Sequence, residues 1–407
     1  MVNGAIHRMP RLVGLVGLVG GGALLSGYPV SQVVAECTPL FEITAVVDSP
    51  GGFSVSPLGM NDYGHICGHY AAGEFGQRAF YWTPEAGFVD FLPPSGTTSR
   101  AYDINNNGIV VGQYQNALRG FVYDTTTGEL TELDPPYRPT GQCEVRGVND
   151  LNQVAGYRTV APGVRHGMIW SAETGYIDVA PTYGEDARLS DINDDGVAVG
   201  RMGDSPFFAH VMVATIGGEV TDLGTVPGAQ SGDGRGISNT GFVVGEGLVG
   251  DTVHSALWQK PLAIDLGQLP GTPFTRASAV NDAGWVVGEA HNFGLTDLTA
   301  FLWLDGQIHN LAELTTGLAG NSHLDSARDT NQSGQIVCRA DINGSLVALV
   351  LTPTNMAGDV NLDCKVDGAD LGLLLGSWGT NQANADFDGS GEVDPGDLEI
   401  LLNNWSD

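Results

Sequence analysis

The sequence is poor in charged residues and especially poor in basic ones. Charged residues make up 16% of the 407 residues, and 17 Lys and Arg stand against 47 Asp and Glu, a net charge of −30. Nucleic acids and anionic membrane surfaces are bound mainly through Lys and Arg, so this balance argues against both as partners. Metal cations are the natural counterpart of so many carboxylates.

Cysteines are few and widely spaced. The five are Cys37, Cys67, Cys143, Cys338 and Cys364, and no two of them form a CxxC pair that would suggest zinc. An exported protein can form disulfides, but an odd number leaves at least one cysteine unpaired. The spacing assigns no pairing.

Familiar catalytic motifs are also missing. The chain has no GxSxG elbow, no HExxH zinc motif and no phosphate-binding loop. His65 and His69 have strand spacing and are interpreted as ordinary histidines on a strand surface or rim. The alternative is that they form a metal-binding pair.

Long apolar stretches are confined to the N-terminus. Residues 12–28 are apolar and glycine-rich, follow Arg8 and Arg11, and lead to small residues at 33–35. This layout predicts a secretory signal peptide over residues 1–35. A membrane anchor is the alternative, because the stretch approaches the ~18–20 residues that can span a bilayer. No later segment is apolar enough, so the mature chain is expected outside the cell or at its surface, without a membrane span.

Glycine, by contrast, is abundant and marks a repeat. It accounts for 59 residues, about twice the usual share of ~7%. An apolar residue, Asn, two turn residues and Gly precede an apolar strand that ends in another Gly. The closing positions of the seven copies are Gly68, Gly112, Gly156, Gly200, Gly245, Gly288 and Cys338. The steps between them are 44, 44, 44, 45, 43 and 50 residues.

Each copy reads as four short strands. In the second copy, residues 100–105 enter the Asn turn, 108–114 leave it, and 119–123 and 130–133 follow as third and fourth strands. The Asn side chain closes the turn, and Gly supplies the left-handed backbone that the hairpin needs. Four strands in ~40–45 residues is the length of one β-propeller blade.

The two ends of the repeat region predict how the ring closes. The seventh copy, about residues 322–353, lacks a fourth strand, and residues 41–47 form an orphan strand before the first copy. If this strand completes the last blade, no sheet edge is left unpaired. We therefore expect an all-β, seven-bladed β-propeller over residues 36–353. An open solenoid is the alternative.

The repeat resembles the family of probable extracellular HAF repeats, named for a His-Ala-Phe motif on the third strand, over roughly residues 40–353. The motif appears loosely as Arg78-Ala79-Phe80, Arg119-Gly120-Phe121, His166-Gly167-Met168 and Thr299-Ala300-Phe301. The resemblance implies an extracellular location and carries no assigned activity. Two further sets recur and are interpreted as structural parts of the repeat: His166, His210 and His254 on third strands, and Asp90, Asp178, Asp222 and Asp265 on fourth strands.

After Pro353 and a predicted linker at 354–357, the composition turns acidic. Residues 358–407 hold nine Asp, two Glu and one Lys, and two 12-residue segments, 359–370 and 386–397, share a ladder of oxygen groups. Side-chain oxygens at positions 1, 3, 5, 9 and 12, with a backbone carbonyl at 7, suit Ca²⁺. The predicted ligands of two Ca²⁺ ions are Asp359, Asn361, Asp363, Lys365, Asp367 and Asp370, and Asp386, Asp388, Ser390, Glu392, Asp394 and Asp397. Lys365 and Glu392 would contribute their carbonyl oxygens.

An apolar pattern of helical spacing follows each loop. The two sets are Leu371, Leu374, Leu375 and Trp378, and Leu398, Leu401, Leu402 and Trp405. Such a pattern predicts two helices that pack through these faces. The alternative, a solvated acidic tail, does not explain the leucines.

This duplicated loop–helix unit resembles type I dockerins over about residues 358–405. The resemblance implies a small EF-hand-like helical module at 358–407 that docks in a Ca²⁺-dependent way to a cohesin-like or other cell-surface protein. The chain departs from the dockerin pattern at three places: Cys364 stands where Gly is usual, and Gly368-Ala369 and Pro395-Gly396 stand where hydroxyl residues are frequent.

Two functions follow from these features. The first is a secreted, calcium-binding scaffold or binding protein whose propeller recognises a ligand or partner. The alternative is an extracellular glycosidase or polysaccharide lyase, acting in polysaccharide catabolism, because dockerins often tether such enzymes. Single carboxylates or tyrosines clustered at the channel mouth would favour an enzyme, whereas equivalent residues in every blade would favour a scaffold.

Overall fold

The computed structural model describes residues 38–73, 76–91, 98–114, 119–134, 141–205, 207–259, 262–294, 297–354, 357–363, 365–382 and 384–406. The predicted signal peptide (1–35), Cys37, Cys364 and residues 355–356 of the predicted linker lie outside this set.

Short strands dominate the described chain. Strand β1 (Phe41–Val47) comes first and belongs to the last blade. Blades one to three consist of β2 (Val55–Met60), β3 (Ile66–Ala71), β4 (Gln77–Thr83), β5 (Gly87–Asp90), β6 (Ser99–Ile104), β7 (Ile109–Tyr114), β8 (Arg119–Asp124), β9 (Leu130–Leu133), β10 (Cys143–Val148), β11 (Val154–Ala161), β12 (Val164–Ser171) and β13 (Gly175–Val179). Blades four to six consist of β14 (Ala187–Ile192), β15 (Val197–Met202), β16 (His210–Thr215), β17 (Val220–Gly224), β18 (Asp233–Ile237), β19 (Val243–Val249), β20 (Thr252–Gln259), β21 (Leu262–Asp265), β22 (Phe274–Val280), β23 (Val286–His291), β24 (Thr299–Leu304) and β25 (Gln307–Asn310).

The remaining elements are α1 (Leu311–Leu314), β26 (Thr315–Thr316), β27 (Ser322–Thr330), β28 (Ile336–Ile342), β29 (Ser345–Pro353), α2 (Gly368–Gly376) and α3 (Pro395–Asn403). No helix of the described residues is long and apolar enough to cross a membrane.

The blades form a closed ring. Each of the first six pairs its four strands antiparallel in chain order. The first strand of every blade contacts the first strands of both neighbours, from β2 through β6, β10, β14, β18 and β22 to β27 and back to β2. The predicted seven-bladed propeller is confirmed, and the open solenoid is wrong.

Strand β1 closes the ring as the N-terminal sequence predicts. It pairs antiparallel with β29, from Phe41 opposite Pro353 to Val47 opposite Ala348. The two residues of β26 add a parallel fifth strand on its outer side, which was not predicted. Together with α1, this strand occupies part of the long 50-residue step before the last blade.

The side chain of the turn Asn makes hydrogen bonds both within its own turn and to the next blade. The Oδ1 atom of Asn61 accepts hydrogen bonds from the backbone of Tyr63 at 3.1 Å and His65 at 2.9 Å, and Gly64 has φ +73°. Its Nδ2 donates to the carbonyl of Asn105, in the next blade, at 3.0 Å. The turn residue therefore shapes its own hairpin and binds the neighbouring blade.

This blade-to-blade bond recurs around the ring. The same donor–acceptor pairs are Asn105 to Asn149, Asn149 to Asn193, Asn193 to Ser238, Asn281 to Asn331, and Asn331 to Asn61. Blade five carries Ser238 instead of Asn, and Thr240 takes over its link by donating to Asp282. The turn Asn side chains are almost fully buried, so their bonds are shielded from water, whereas Thr240 is exposed.

The closing glycines follow from strand pairing. A Cβ atom at Gly156 would lie 1.9 Å from the Glu144 carbonyl oxygen of the paired strand, and one at Gly200 would lie 1.9 Å from that of Arg188. Blade seven has Cys338 at this position, and the strand opposite carries an additional register shift between Leu324 and Ser326. The extra bulge accompanies the larger side chain.

The two C-terminal helices contact each other, but their apolar faces differ from the prediction. Leu374 and Leu401 are fully buried in a cluster with Val360, Val366, Ala385 and Val393, and Leu371 and Leu398 pack against its edge. Leu375, Trp378, Leu402 and Trp405 are 52%, 42%, 53% and 41% exposed. The predicted four-residue stripes are therefore wrong at their last two positions. Both tryptophans lie beyond the helices, which end at Gly376 and Asn403, and Leu375 and Leu402 lie within the helices but on an exposed face.

Candidate functional site

The central channel is lined by one bulged residue from each blade. In every blade the register between the first and second strands shifts at this position, which leaves its residue unpaired. The seven residues are Leu58, Tyr102, Arg146, Ser190, Arg235, Ser278 and Arg328. They surround a cavity of about 320 Å³. A β-bulge changes the direction of its side chain. Here the seven bulges direct side chains of different types into the same cavity.

Two further positions lie beside the bulge, on the first and second strands. The cross-strand pairs are Ser56 with His69, Arg100 with Gln113, Glu144 with Tyr157, Arg188 with Arg201, Asp233 with Glu246, Arg276 with Glu289, and Ser326 with Arg339. These fourteen residues and the seven bulged ones form what we call the arginine mouth. No residue type repeats in every blade, so the mouth is not a simple product of the repeat.

Charged side chains of the mouth form a continuous chain across blades five to seven. Arg235 lies 2.6 Å from Glu246, which lies 3.4 Å from Arg276. Arg276 lies 4.0 Å from Glu289, which lies 3.3 Å from Arg328. Two glutamates thus hold three guanidinium groups in place.

Aromatic rings support the arginines on the other side of the ring. The Arg146 guanidinium lies 4.9 Å from the centre of the Tyr102 ring, and that of Arg188 lies 5.1 Å from the Tyr157 ring. Such cation–π contacts orient the guanidinium without consuming its hydrogen-bond donors.

The alternative interpretation of His65 and His69 as a metal-binding pair is wrong. The residues are four apart on an extended chain, about 13 Å. His65 lies at the Asn turn beside Asn61 and Tyr63. Burial and the nearby charges of Arg100 and other arginines lower the pKa of His69 to about 4, so its imidazole is neutral at pH 7.

The opposite end of the channel is acidic. Seven side chains that follow the turn Asn or Ser form a second ring, which we call the acidic mouth: Asp62, Asn106, Asp150, Asp194, Asn239, Asp282 and Gln332. In most blades the backbone N–H of one member donates to the side chain of the next, ending with Gln332 to Asp62 at 3.0 Å. Burial raises the pKa of Asp150 and of Asp282.

Three aspartates lie deeper in the channel, between the two mouths. Asp103, Asp191 and Asp329 each accept a hydrogen bond from the following residue and another from the next blade, namely from Val148, Ile237 and Met60 at 2.8 to 2.9 Å. The other blades have Gly59, Gly147, Gly236 and Ala279 at this position. A Cβ atom at Gly147 would lie 2.7 Å from the Asp191 backbone, so small residues make room for the aspartates.

The channel holds these carboxyl groups away from bulk water. Asp103, Asp191 and Asp329 are half-buried: their side chains border the channel, and protein surrounds them on the other sides. Burial raises the pKa of Asp103 to about 6 and of Asp191 to about 7, and raises that of Asp329 well above its usual range. The negative charges of neighbouring aspartates in the channel and in the acidic mouth act in the same direction. The charged forms therefore oppose folding at neutral pH.

We predict that the propeller becomes more stable as pH falls from 8 to 5. A raised native pKa gives a stabilisation that is complete below the unfolded pKa and lost as pH rises through the native value, by up to about 1.4 kcal/mol per pH unit for each proton. Asp191→Asn should reduce this slope, whereas Asp251→Asn, in an exposed turn of blade five, should not. Urea unfolding followed by tryptophan fluorescence measures it, and equal slopes in all three proteins would contradict the assignment.

The C-terminal loops bring their acidic residues together. Carboxylate oxygens of Asp359, Asp363 and Asp370 lie within 4.8 Å of one another, as do those of Asp386, Asp388 and Asp397. Asp370 and Asp397 are fully buried. Among the described residues, no basic side chain forms an ion pair with Asp370 or Asp397.

The two loops repeat the same hydrogen bonds. Asp370 accepts from the backbone of residues 360, 361 and 367, and Asp397 accepts from 387, 388 and 394. Asp367 and Asp394 cap the two helices through capping boxes. The remaining predicted ligands are Asn361, Lys365, Ser390 and Glu392, and they lie on the same loops. Asn361 and Asp388 accept a hydrogen bond from position 5 of their loops.

The C-terminal segment, residues 357–406, lies against the acidic mouth. Asn381 donates to the Tyr63 hydroxyl at 2.9 Å, and Leu362 packs in the core cluster that contains Phe41 and Trp285. Between the segment and the acidic mouth lies a cavity of about 760 Å³.

The recurrent acidic residues of the fourth strands form ion pairs. Each pairs with a basic residue of its own third strand: Asp90 with Arg78, Asp178 with His166, Asp222 with His210, and Asp265 with His254, at 2.6 to 2.8 Å. These exposed pairs clamp the outer strands and lie away from the channel.

Comparisons with known proteins show the fold only. No family model and no curated protein matches the chain. It is similar to a catalytically inactive variant of virginiamycin B lyase from Staphylococcus aureus with quinupristin, at 12% identity and TM-score 0.51, over 76% of this chain and 99% of that chain. It is similar to a streptogramin B lyase at 11% identity and TM-score 0.51, over 76% and 97%.

Proposed function

We propose that this chain is a secreted recognition protein in which a propeller (36–353) binds a ligand and a dockerin-like module (358–407), joined by a short linker (354–357), binds two Ca²⁺ ions. The propeller fold itself suggests a binding or scaffold role. The module would dock the chain to a cohesin-like or other cell-surface protein partner. Residues 1–35 would direct export and be removed.

The observation that carries the calcium part is the duplication. Two loops, 27 residues apart, repeat the same backbone hydrogen bonds around a fully buried aspartate. Burying a carboxylate without a positive partner is costly even when backbone N–H groups donate to it, and a hard divalent cation would offset that cost. Carboxylates at positions 1, 5 and 12 lie close together in the first loop, and those at positions 1, 3 and 12 do so in the second.

Ca²⁺ would be held by the same set in both loops. The first ion would use side-chain oxygens of Asp359, Asn361, Asp363, Asp367 and Asp370, with the Lys365 carbonyl. The second would use Asp386, Asp388, Ser390, Asp394 and Asp397, with the Glu392 carbonyl. Folding of this small segment would then depend on the ion.

We predict that the full chain binds two Ca²⁺ per molecule in a calorimetric titration. Asp397→Asn should reduce the number to one, whereas Asp251→Asn, in an exposed turn of blade five, should leave it at two. Chelation should increase amide hydrogen exchange in α2 and α3 by about tenfold or more and leave blades one to six unchanged. Absence of heat, or unchanged exchange in both helices, would refute the calcium part.

A second candidate function is a carbohydrate-active enzyme, a glycosidase or lyase, on the propeller. One observation favours it: the channel mouth carries unlike residues, including Tyr102, Glu246 and Glu289, as expected for a site and not for a repeated scaffold. Incubating the purified chain with a panel of neutral and acidic polysaccharides and measuring new reducing ends discriminates the two. Turnover above that of Arg276→Gln would support the enzyme, and its absence across the panel would support recognition alone.

A further inference from the structure

The positive charge of this acidic protein is concentrated at the arginine mouth. Eight of its 17 Lys and Arg residues occupy the mouth: Arg100, Arg146, Arg188, Arg201, Arg235, Arg276, Arg328 and Arg339. Six carboxylates oppose them: Glu144, Asp233, Glu246 and Glu289 in the mouth itself, and Asp186 and Asp325, which pair with Arg188 and Arg339. The mouth therefore has an excess of positive charge in a chain whose net charge is −30.

The rest of the channel strengthens this polarity. The acidic mouth and the three channel aspartates carry only negative or neutral side chains at the opposite end. An anion is thus repelled from that end and attracted to the arginine mouth, where protein walls focus the field.

Two of these arginines, Arg146 and Arg276, are held in place by carboxylates. Arg146 donates its Nε–H to Glu144, and Arg276 lies 3.4 Å from Glu246 and 4.0 Å from Glu289. Because a guanidinium has five N–H donors, both keep donors for a ligand. The side chains of Arg276 and Arg146 are 46% and 37% exposed, so both can reach a ligand. They belong to blades six and three, which lie on different sides of the ring.

The mouth also offers groups suited to hydroxyls. Glu246 Oε2 is buried without a hydrogen-bond partner, and its closest charged neighbour is Arg276 Nε at 3.4 Å. The Nδ1 atom of His69 is buried and unpaired as well. Ser190 and Ser278 occupy bulged positions and line the cavity. Glutamates would repel a dense polyanion but accept hydroxyl donors, so the lining fits a ligand with few charges and several hydroxyls.

We propose that the arginine mouth binds an acidic sugar, a uronate unit of a saccharide, with its carboxylate on Arg276 or Arg146 and its hydroxyls on Glu246 and the serines. Guanidinium groups recognise carboxylates by paired hydrogen bonds. A cavity of about 320 Å³ limits the bound part to one or two sugar units. This inference rests on the proposed recognition function and names its ligand class.

The test is calorimetric titration of the full chain with a uronate disaccharide. A neutral disaccharide and inorganic phosphate serve as comparison ligands. We expect uronate binding at least about tenfold tighter than either. The neutral disaccharide lacks the charge-assisted hydrogen bond to arginine, and phosphate lacks the hydroxyl contacts with Glu246 and the serines. Arg276→Gln and Arg146→Gln should each weaken it about tenfold, and Arg119→Gln, an ion-paired arginine on the outer strand β8, should not.

Several outcomes would overturn the inference. They are no uronate binding, preference for phosphate, equal affinity for the neutral disaccharide, or an equal loss in Arg119→Gln. Unchanged unfolding temperatures of the two glutamine variants exclude misfolding as the cause, and a variant that unfolds early is replaced by Arg276→Lys, which keeps the charge but loses the paired geometry. Failure here with normal uptake of two Ca²⁺ refutes only this inference, whereas uronate binding without calcium uptake refutes only the calcium module.

Discussion

The closed ring of blades is the constraint on which the other features depend. The Oδ1 atom of a turn Asn accepts the hydrogen bonds that shape its own hairpin, and its Nδ2 atom donates to the next blade. The same side chain therefore forms the turn and sets the spacing between neighbouring turns. Because these groups are buried, an unmade bond would leave a polar group without water. Strand β1 then pairs with β29 and joins the two ends of the repeat region.

Closure also creates the channel and its electrical polarity. First strands converge at the axis, and side chains that would be ordinary surface residues in an isolated blade become neighbours of six others. Acidic groups collect at the Asn-turn end and arginines at the other. The C-terminal segment lies against the acidic end, and the described residues that line the arginine mouth all belong to the propeller.

The fold could be predicted because its determinants are local. An Asn–Gly turn every 44 residues needs only neighbouring residues to form, and the orphan strand is visible at the N-terminus. The arginine mouth could not be predicted, because the bulge that aims Arg146 or Arg235 inward depends on pairing with a second strand and on blades far along the chain. A signal was present, since Arg recurs a few residues before the turn Asn, but a single sequence does not say which strand face meets the axis. The exposed Trp378 and Trp405 were missed because helix ends depend on capping and not on apolar spacing alone.

Hydrogen exchange in strand β1 tests the account most directly. If residues 41–47 close the ring, their amides exchange as slowly as those of β28, in the same sheet, and both are released together when the propeller unfolds. Amides of β1 that exchange at the rate of a frayed terminus, while β28 stays protected, would show that the ring is not held at this seam and would contradict the account.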